Sequence, residues 1–138
     1  MNAVKTFIDT NILIYAFTAD EPLKQAIALD FLDKSLPVVS TQVLKEFSNV
    51  MLKRANVRIK TVQDTIKEIL SVSELVNEGI QLIIAAFGIY ERYKFSFYDS
   101  LIIATALNSK CITVLSEDLQ DRQIIDGKLK IVNPFRNM

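Results

Sequence analysis

Short apolar runs alternate with longer amphipathic stretches along the chain, and this alternation predicts strands separated by helices. The first run contains Val4, Phe7 and Ile8, ends at Asp9, and is followed directly by a second apolar stretch. A short apolar run bounded by polar residues is typical of a buried strand. Further runs of this kind cover residues 37–40, 111–115 and 129–132. The pattern therefore predicts four strands, the first of which leads at Asp9 into a helix.

Apolar residues at intervals of three and four predict helices between these strands. The predicted helices cover residues 10–17, a segment that begins at Pro22, and residues 41–55, 61–72, 78–93 and 96–108. Ser40 and Asn77 are candidate N-caps of the third and fifth helices, and Thr61 with Asp64 matches a capping box in the fourth. The last helix is apolar around nearly its whole circumference, so we predict that it is central and buried.

Strands that alternate with helices in this way predict an α/β fold, a three-layer domain with a mostly parallel central sheet flanked by helices. The chain has 138 residues, enough for one such domain with a proper core and too few for two. We therefore predict a single domain over residues 1–138.

The chain contains no histidine and one cysteine, and this composition narrows the possible chemistry. Ser-His-Asp and Cys-His mechanisms are excluded, as are zinc sites built from histidine or from several thiolates. The lone Cys111 excludes an internal disulfide and suits a reducing compartment, so we expect a cytoplasmic protein without a membrane span. Lys plus Arg and Asp plus Glu are balanced at 16 each. Contact with nucleic acid must therefore come from a local patch, and the chemistry left open uses carboxylates, hydroxyls, lysines and oxygen-bound metal.

Four acidic residues occupy positions where an unpaired carboxylate is unexpected. Asp9 and Asp118 each follow a predicted buried strand, and Glu46 and Asp99 each lie early in a helix, on or beside its apolar face. In a parallel α/β sheet, strand ends and the helix starts that follow them meet at one edge. Carboxylates gathered there repel one another unless a cation is present, and oxygen ligands suit Mg²⁺ or Mn²⁺. We therefore predict an acidic metal site at this edge.

Each of these residues also has a simpler interpretation. Asp9 is a good N-cap for the helix that follows it, and Asp99 can be the third-position partner of a capping box that starts at Ser96. Glu46 can be a surface residue beside the apolar stripe, and Asp118 can be a solvated loop residue. Four such coincidences at one edge of one sheet are a less economical explanation than a shared site.

Four segments resemble the motifs of PIN-domain ribonucleases, and more narrowly of the VapC-type toxins of toxin–antitoxin pairs. They are Phe-Ile-Asp-Thr-Asn-Ile at 7–12, Val-Leu-Lys-Glu-Phe at 43–47, Phe-Tyr-Asp-Ser-Leu-Ile-Ile-Ala-Thr-Ala at 97–106 and Leu-Ser-Glu-Asp-Leu at 115–119. The resemblance spans essentially the whole chain, and the first and third segments are its specific parts. It implies endonucleolytic cleavage of RNA that depends on Mg²⁺ or Mn²⁺.

The resemblance also implies roles for individual residues. Asp9, Glu46, Asp99 and Asp118 match the family's catalytic and metal-binding acids, and Thr10, Asn11 and Ser116 match its supporting polar positions. The family more often has Thr at the position of Ser116, and serine keeps the hydroxyl. Glu117 and Asp121 are alternatives for the last acid, and Asp118 is favoured because it lies two residues after the hydroxyl. An antitoxin protein and a homodimer are the partners that the resemblance implies.

A basic cluster between residues 53 and 60 is the candidate for contact with the RNA backbone. Its cationic residues are Lys53, Arg54, Arg58 and Lys60. The alternative is a solvated helix end, where cations favour the C-terminus.

Three other classes of protein compete with a ribonuclease. One is a catalytically inactive PIN-like module that binds RNA or protein. Another is a receiver-type phosphoacceptor domain, which would need an adjacent acidic pair early in the chain, and no such pair lies beside Asp9. The third is a haloacid-dehalogenase-like phosphatase, whose motif resembles Asp-x-Asp. Asn11 stands where that second acid would be, which counts against a phosphatase.

Overall fold

The computed structural model describes residues 3–138, and its strands and helices alternate as the apolar pattern predicts. The strands are β1 (Lys5–Ile8), β2 (Leu36–Ser40), β3 (Glu74–Val76), β4 (Thr113–Leu115), β5 (Ile124–Ile125) and β6 (Leu129–Val132). The helices are α1 (Thr10–Ala16), α2 (Pro22–Asp33), α3 (Thr41–Leu52), α4 (Ile59–Val72), α5 (Ile80–Tyr93) and α6 (Phe97–Asn108). None of the helices in residues 3–138 is both long enough and apolar enough to cross a membrane.

The strands form a single six-stranded sheet in the order β3-β2-β1-β4-β6-β5. All neighbouring pairs are parallel except β5 and β6. The predicted fold class, a mostly parallel sheet flanked by helices, is therefore confirmed. Helix α6 is buried from Ser100 to Ala106, as expected for a helix that is apolar on all sides.

The order of the strands creates a switch point between β1 and β4. The chain leaves β1 toward β2 on one side, and β4 is added on the other side. Ligands in sheets of this kind bind in the crevice outside the carboxyl ends of the strands at such a point. The register pairs Ile8 with Leu115, which puts Asp9 and Ser116 beside each other at the mouth of this crevice.

Several predicted boundaries were wrong, each for a local reason. Helix α3 ends at Leu52 rather than at residue 55, and the turn after it contains Asn56 in the left-handed conformation at φ 62°. Strand β4 begins at Thr113 rather than at residue 111. Cys111, the predicted start of this strand, is instead hydrogen-bonded to the end of α6, because its N–H donates to the Ala106 carbonyl at 3.0 Å.

Two predicted caps were also wrong. Helix α4 begins at Ile59, so Thr61 lies inside the helix, and α5 begins at Ile80 after Gly79 rather than after Asn77. The Ser40 cap is confirmed, with the Val43 N–H donating to Ser40 Oγ at 3.3 Å.

Two short strands at the edges of the sheet were missed. Strand β3 has three residues and β5 has two, too few for an alternating pattern to be recognised. The turn signal before β6 is confirmed, since Asp126 and Gly127 adopt φ 51° and 67° in the hairpin between β5 and β6.

Candidate active site

Asp9 lies at the end of β1 and is almost completely buried, with 7% of its surface exposed. It occupies the N-cap position of α1, and the Thr10 N–H donates to its Oδ1 at 2.7 Å. The N-cap interpretation is therefore correct as far as it goes. Asp9 also makes a contact that a cap does not need, because the Ser116 hydroxyl at the end of β4 donates to its Oδ2 at 2.9 Å. The carboxylate thus joins two neighbouring strand ends.

Asp118 is connected to Asp9 through Ser116. The Ser116 hydroxyl oxygen accepts hydrogen bonds from the backbone N–H groups of Asp118 at 3.2 Å and Leu119 at 3.4 Å. Asn11 Nδ2 donates to Asp118 Oδ2 at 3.1 Å. The predicted supporting residues Asn11 and Ser116 therefore contact the predicted acids directly. Asp118 itself is exposed to solvent.

Asp99 lies half-buried in the first turn of α6. Its backbone N–H donates to Ser96 Oγ at 3.1 Å, so Ser96 caps this helix, which is one half of the capping box given as the simpler interpretation of Asp99. In residues 3–138 the Asp99 carboxylate makes no return hydrogen bond to the Ser96 N–H. A capping box needs both bonds, so that box does not account for the Asp99 side chain.

Glu46 lies on α3, exposed to solvent, with each carboxylate oxygen held by a neutral side chain. Gln42, one helical turn earlier, donates from Nε2 to Oε1 at 2.7 Å, and the Thr10 hydroxyl makes a longer contact of 3.5 Å with Oε2. Thr10 therefore links Glu46 on α3 to Asp9, the residue that caps α1. Gln42 is a residue that the sequence analysis missed, although a Gln four positions before a Glu on a predicted helix was a usable signal.

The electrostatics of Asp9 are unusual for a carboxylate. Burial raises the pKa of Asp9 from 3.8 to about 6, against the hydrogen bonds from Ser116 and Thr10, which lower it. The nearby charges of Asp99 and Asp118 raise this pKa further. These three carboxylates therefore lie close enough for their charges to interact, which is the repulsion expected of an acidic cluster without a cation.

A divalent cation fits the chemistry of these donors, although the side chains do not form a ready-made coordination shell. Within residues 3–138 the acidic side chains form no group of three that could hold a metal ion as they stand. In the same residues, none of the four predicted acids takes part in an ion pair. Carboxylate oxygens without a cationic partner, one of them buried, are suitable ligands for Mg²⁺ or Mn²⁺.

The two alternatives for the last acid are both occupied elsewhere. Glu117 binds the Lys24 ammonium at 2.5 Å and the Tyr15 hydroxyl at 2.7 Å. Asp121 accepts from the Asn133 N–H at 2.8 Å and lies near the guanidinium groups of two arginines. Their contacts favour Asp118 as the member of the cluster.

The four cationic residues of the basic cluster differ in whether they have an acidic partner within the protein. Arg54 makes two hydrogen bonds of 2.6 Å to Asp20, and Lys60 pairs with Asp64 at 3.1 Å. Lys53 and Arg58 are exposed. Arg54 is therefore committed to a contact within the protein, whereas the pair of Lys60 is exposed and weak. Lys53 and Arg58 make no ion pair within residues 3–138, so they are the better candidates for contact with phosphate.

The sequence and the fold both match known proteins. The sequence model described as the PIN domain matches residues 6–124. No curated protein sequence matches significantly.

Three solved structures illustrate the likeness in fold. A toxin–antitoxin complex from Klebsiella pneumoniae has 20% identity and a TM-score of 0.72, with 94% of this chain and 98% of that chain covered. VapC20 from Mycobacterium tuberculosis, described as a sarcin–ricin loop cleaving toxin, has 16% identity and a TM-score of 0.67, with 82% and 91% covered. VapBC2 from Rickettsia felis, bound to a DNA fragment from its promoter, has 16% identity and a TM-score of 0.67, with 94% and 99% covered. At these identities the likeness is one of fold.

Proposed function

The chain belongs to the PIN domain family, and on this premise we propose that it is a metal-dependent endoribonuclease, the toxin of a toxin–antitoxin pair. The observation that carries the proposal is the environment of Asp9. This carboxylate is buried at the switch point of the sheet, its pKa is raised to about 6, and two further carboxylates act on it. Burying a carboxylate in this way is costly unless a partner compensates, and a bound cation is such a partner.

In this proposal Asp9, Asp99, Asp118 and Glu46, together called the acidic cluster, would hold one or more Mg²⁺ or Mn²⁺ ions. When bound, such an ion neutralises charge and polarises a phosphodiester oxygen. The donors are all carboxylate oxygens, which these hard cations prefer.

The surrounding polar residues keep these carboxylates in place. Ser116 and the Thr10 N–H hold the two oxygens of Asp9, Asn11 holds Asp118, and Gln42 holds Glu46. Neutral donors fix a carboxylate without occupying the place of a cation. They are therefore the appropriate supporting residues for a site that must bind metal and a phosphate together.

RNA is the proposed substrate because the resemblance to PIN-domain ribonucleases implies cleavage of RNA. The acidic cluster alone would repel a phosphate backbone, so cationic side chains are needed nearby. The exposed Lys53 and Arg58 supply positive charge in the connection between α3 and α4. Phosphate contacts of this kind position a nucleic acid without reading its sequence. The choice among RNA molecules therefore depends on surface shape around the cluster.

Two protein partners belong to the proposal. The first is an antitoxin that covers the acidic cluster and places an Arg or Lys against its carboxylates, which co-purification from the native operon tests. The second is another copy of this chain. Ile80, Ile84 and Phe87 are 66%, 61% and 59% exposed along one side of α5, and exposed apolar patches of this kind mark contact surfaces. Light scattering on the isolated chain tests the dimer, and a monomer at micromolar concentration would contradict it.

The decisive experiment is RNA cleavage by the purified chain with Mg²⁺, Mn²⁺ or EDTA. Structured and single-stranded RNA are both offered, and the ends of the products are identified. We expect cleavage only with metal and products with 5′-phosphate ends, because in this proposal water rather than the 2′-hydroxyl attacks the phosphorus and the 3′-oxygen leaves. Cleavage that persists in EDTA, or products with 2′,3′-cyclic phosphate, would refute the proposal.

A matched pair of variants separates the site from the general effect of removing an acid. Asp9→Asn removes the buried carboxylate, whereas Asp126→Asn removes one that binds Arg92 and Tyr93 at the β5–β6 turn. We expect the first to abolish cleavage and the second to preserve it. If Asp9→Asn folds and cleaves normally, the acidic cluster is not the active site. RNA binding without cleavage by the unaltered chain would favour the inactive binding module instead.

A further inference from the structure

Glu117, which lies between Ser116 and Asp118 in the sequence, has both of its carboxylate oxygens held by residues from other elements. Lys24 Nζ, on α2, lies 2.5 Å from Oε2, and the Tyr15 hydroxyl, on α1, donates to Oε1 at 2.7 Å. Lys24 Nζ also donates to the Tyr15 hydroxyl at 3.2 Å. These contacts hold the middle of the 116–118 turn against two helices.

Aromatic rings shield this ion pair from solvent. Lys24 Nζ lies 4.5 Å from the ring centre of Tyr15 and 5.2 Å from that of Phe135, and the two rings meet edge to face at 5.1 Å. The side chains of Lys24 and Glu117 are only 18% and 24% exposed. Partial burial reduces screening by salt, and a cation over aromatic faces gains further attraction. The contact is therefore more tightly defined than an exposed surface ion pair.

Helix α1 contacts the same turn at two successive residues. Tyr15 binds Glu117, and Asn11, one helical turn earlier, binds Asp118. Since the backbone between Glu117 and Asp118 is a single peptide unit, fixing one side chain restricts the orientation of the other.

We propose that Lys24, together with Tyr15, is a positioning residue that holds Glu117 and thereby keeps Asp118 oriented toward the acidic cluster. The inference rests on the proposed function, because it assumes that Asp118 is a metal ligand. It assigns no contact with metal or substrate to Lys24. Residues that orient a metal ligand through another group commonly change metal affinity by about 10- to 100-fold when removed.

The Mn²⁺ affinity of Lys24→Met, measured by titration calorimetry without RNA, tests this positioning role directly. Methionine keeps an apolar stem against Tyr15 and Phe135 and removes the ammonium. If Lys24 acted only through its charge, removing a positive charge near the cluster would tighten Mn²⁺ binding. The positioning role predicts the opposite sign, Mn²⁺ binding weaker by about 10-fold. The direction of the change therefore distinguishes the two effects.

Three companion variants complete the test. Lys24→Arg keeps the cation and should restore most of the affinity. Tyr15→Phe keeps the ring but removes the hydroxyl that donates to Glu117 and accepts from Lys24, so it should weaken Mn²⁺ binding in the same direction as Lys24→Met. Arg92→Met is the matched control, because Arg92 also pairs with a carboxylate, that of Asp126, which a tyrosine hydroxyl binds as well. It should leave the affinity unchanged. Thermal melts identify the temperature at which each variant is folded.

Each outcome has a definite meaning. Equal or tighter Mn²⁺ binding by folded Lys24→Met, with the unaltered chain binding Mn²⁺ and cleaving RNA, overturns the positioning role and leaves the proposed function intact. If Lys24→Met does not fold, unchanged Mn²⁺ affinity in Tyr15→Phe overturns it equally. An unaltered chain that binds no Mn²⁺ overturns both proposals together.

Discussion

Replacing Asp9 by Asn should stabilise the metal-free protein at neutral pH, although Asp9 is the residue most central to the proposed site. The pKa of Asp9 is raised from 3.8 to about 6 in the folded protein, chiefly by burial. Between these two values the folded state binds more protons than the unfolded chain, so stability falls as the pH rises. Above about pH 6 the loss is complete and constant. The Asn variant carries no such charge at any pH.

The magnitude follows from the same shift. At about 1.4 kcal/mol per pH unit, a rise from 3.8 to about 6 costs the ionised form on the order of 3 kcal/mol. Asp9→Asn removes this cost but weakens the hydrogen bonding at the site. The Asn amide offers one acceptor oxygen to the two donors, Thr10 N–H and Ser116 Oγ–H, that bind Asp9. A disturbed hydrogen bond costs about 1 kcal/mol. We therefore expect Asp9→Asn to be more stable than the unaltered chain by about 2 kcal/mol at neutral pH.

Urea unfolding of both proteins in EDTA, from about pH 4 to pH 8, measures this difference, with circular dichroism as the signal. Other titrating groups are common to the two proteins and cancel in the comparison. The stability of Asp9→Asn relative to the unaltered chain should grow from about pH 4 to about pH 6 and then stay constant. A variant that is less stable at neutral pH, or a difference that does not change with pH, would refute the reasoning from burial.

Glu117→Gln is a control of opposite sign. Burial raises the pKa of Glu117, but hydrogen bonds from Lys24 and Tyr15 outweigh burial and hold the pKa below its usual 4.5. A lowered pKa contributes stability above the unfolded value, and this stability is lost as the pH falls through the folded value. Glu117→Gln should therefore be less stable than the unaltered chain at neutral pH, with a deficit that shrinks in acid. Parallel behaviour of the two variants would mean that the local environments are misassigned.

The remaining predictions concern other parts of the chain. Asp99→Asn should leave the metal-free protein as stable as before or more so, but it should shrink the rise in melting temperature caused by Mn²⁺ and nearly abolish cleavage; full retention of both would reduce Asp99 to a first-turn acid that interacts only with the dipole of α6. Replacing Lys53 and Arg58 together by Ala should weaken RNA binding and reduce the slope of log affinity against log salt by about 1 to 2, and an unchanged slope would remove them from the interface. Burial raises the pKa of the Cys111 thiol to about 11, so iodoacetamide at mildly alkaline pH should modify it only after unfolding; rapid modification of the folded protein would contradict the buried position.

The sequence predicted most about this chain where local pattern and burial agree. Helix α6 is apolar on every side, and only a central position can bury such a helix, so its placement was readable without coordinates. The family resemblance rested on short motifs around Asp9 and Asp99, and it is confirmed. Edge elements were less predictable, because β3 and β5 have too few residues to show a period.

Helix starts at α4 and α5 show the limit of capping signals. The sequence offered Thr61 with Asp64 and also Asn77, yet α4 begins at Ile59 and α5 at Ile80. Both helices begin without a side-chain cap, so the residues that could have capped them did not decide where they start. Capping is worth about 1 kcal/mol, which tertiary contacts can override.

The sequence by itself determined the alternating α/β fold, the sheet edge where the acids lie and the absence of histidine chemistry, because apolar periodicity and residue type are properties of the chain alone. Only the tertiary structure decided which neighbours each acid has. In the folded chain Asp9 is hydrogen-bonded to Ser116 across β1 and β4. Glu117 forms an ion pair with Lys24 and does not join the acids, although it is adjacent to Asp118 in sequence. These contacts join residues 107 and 93 positions apart. They depend on strand order and side-chain direction, which no local pattern specifies.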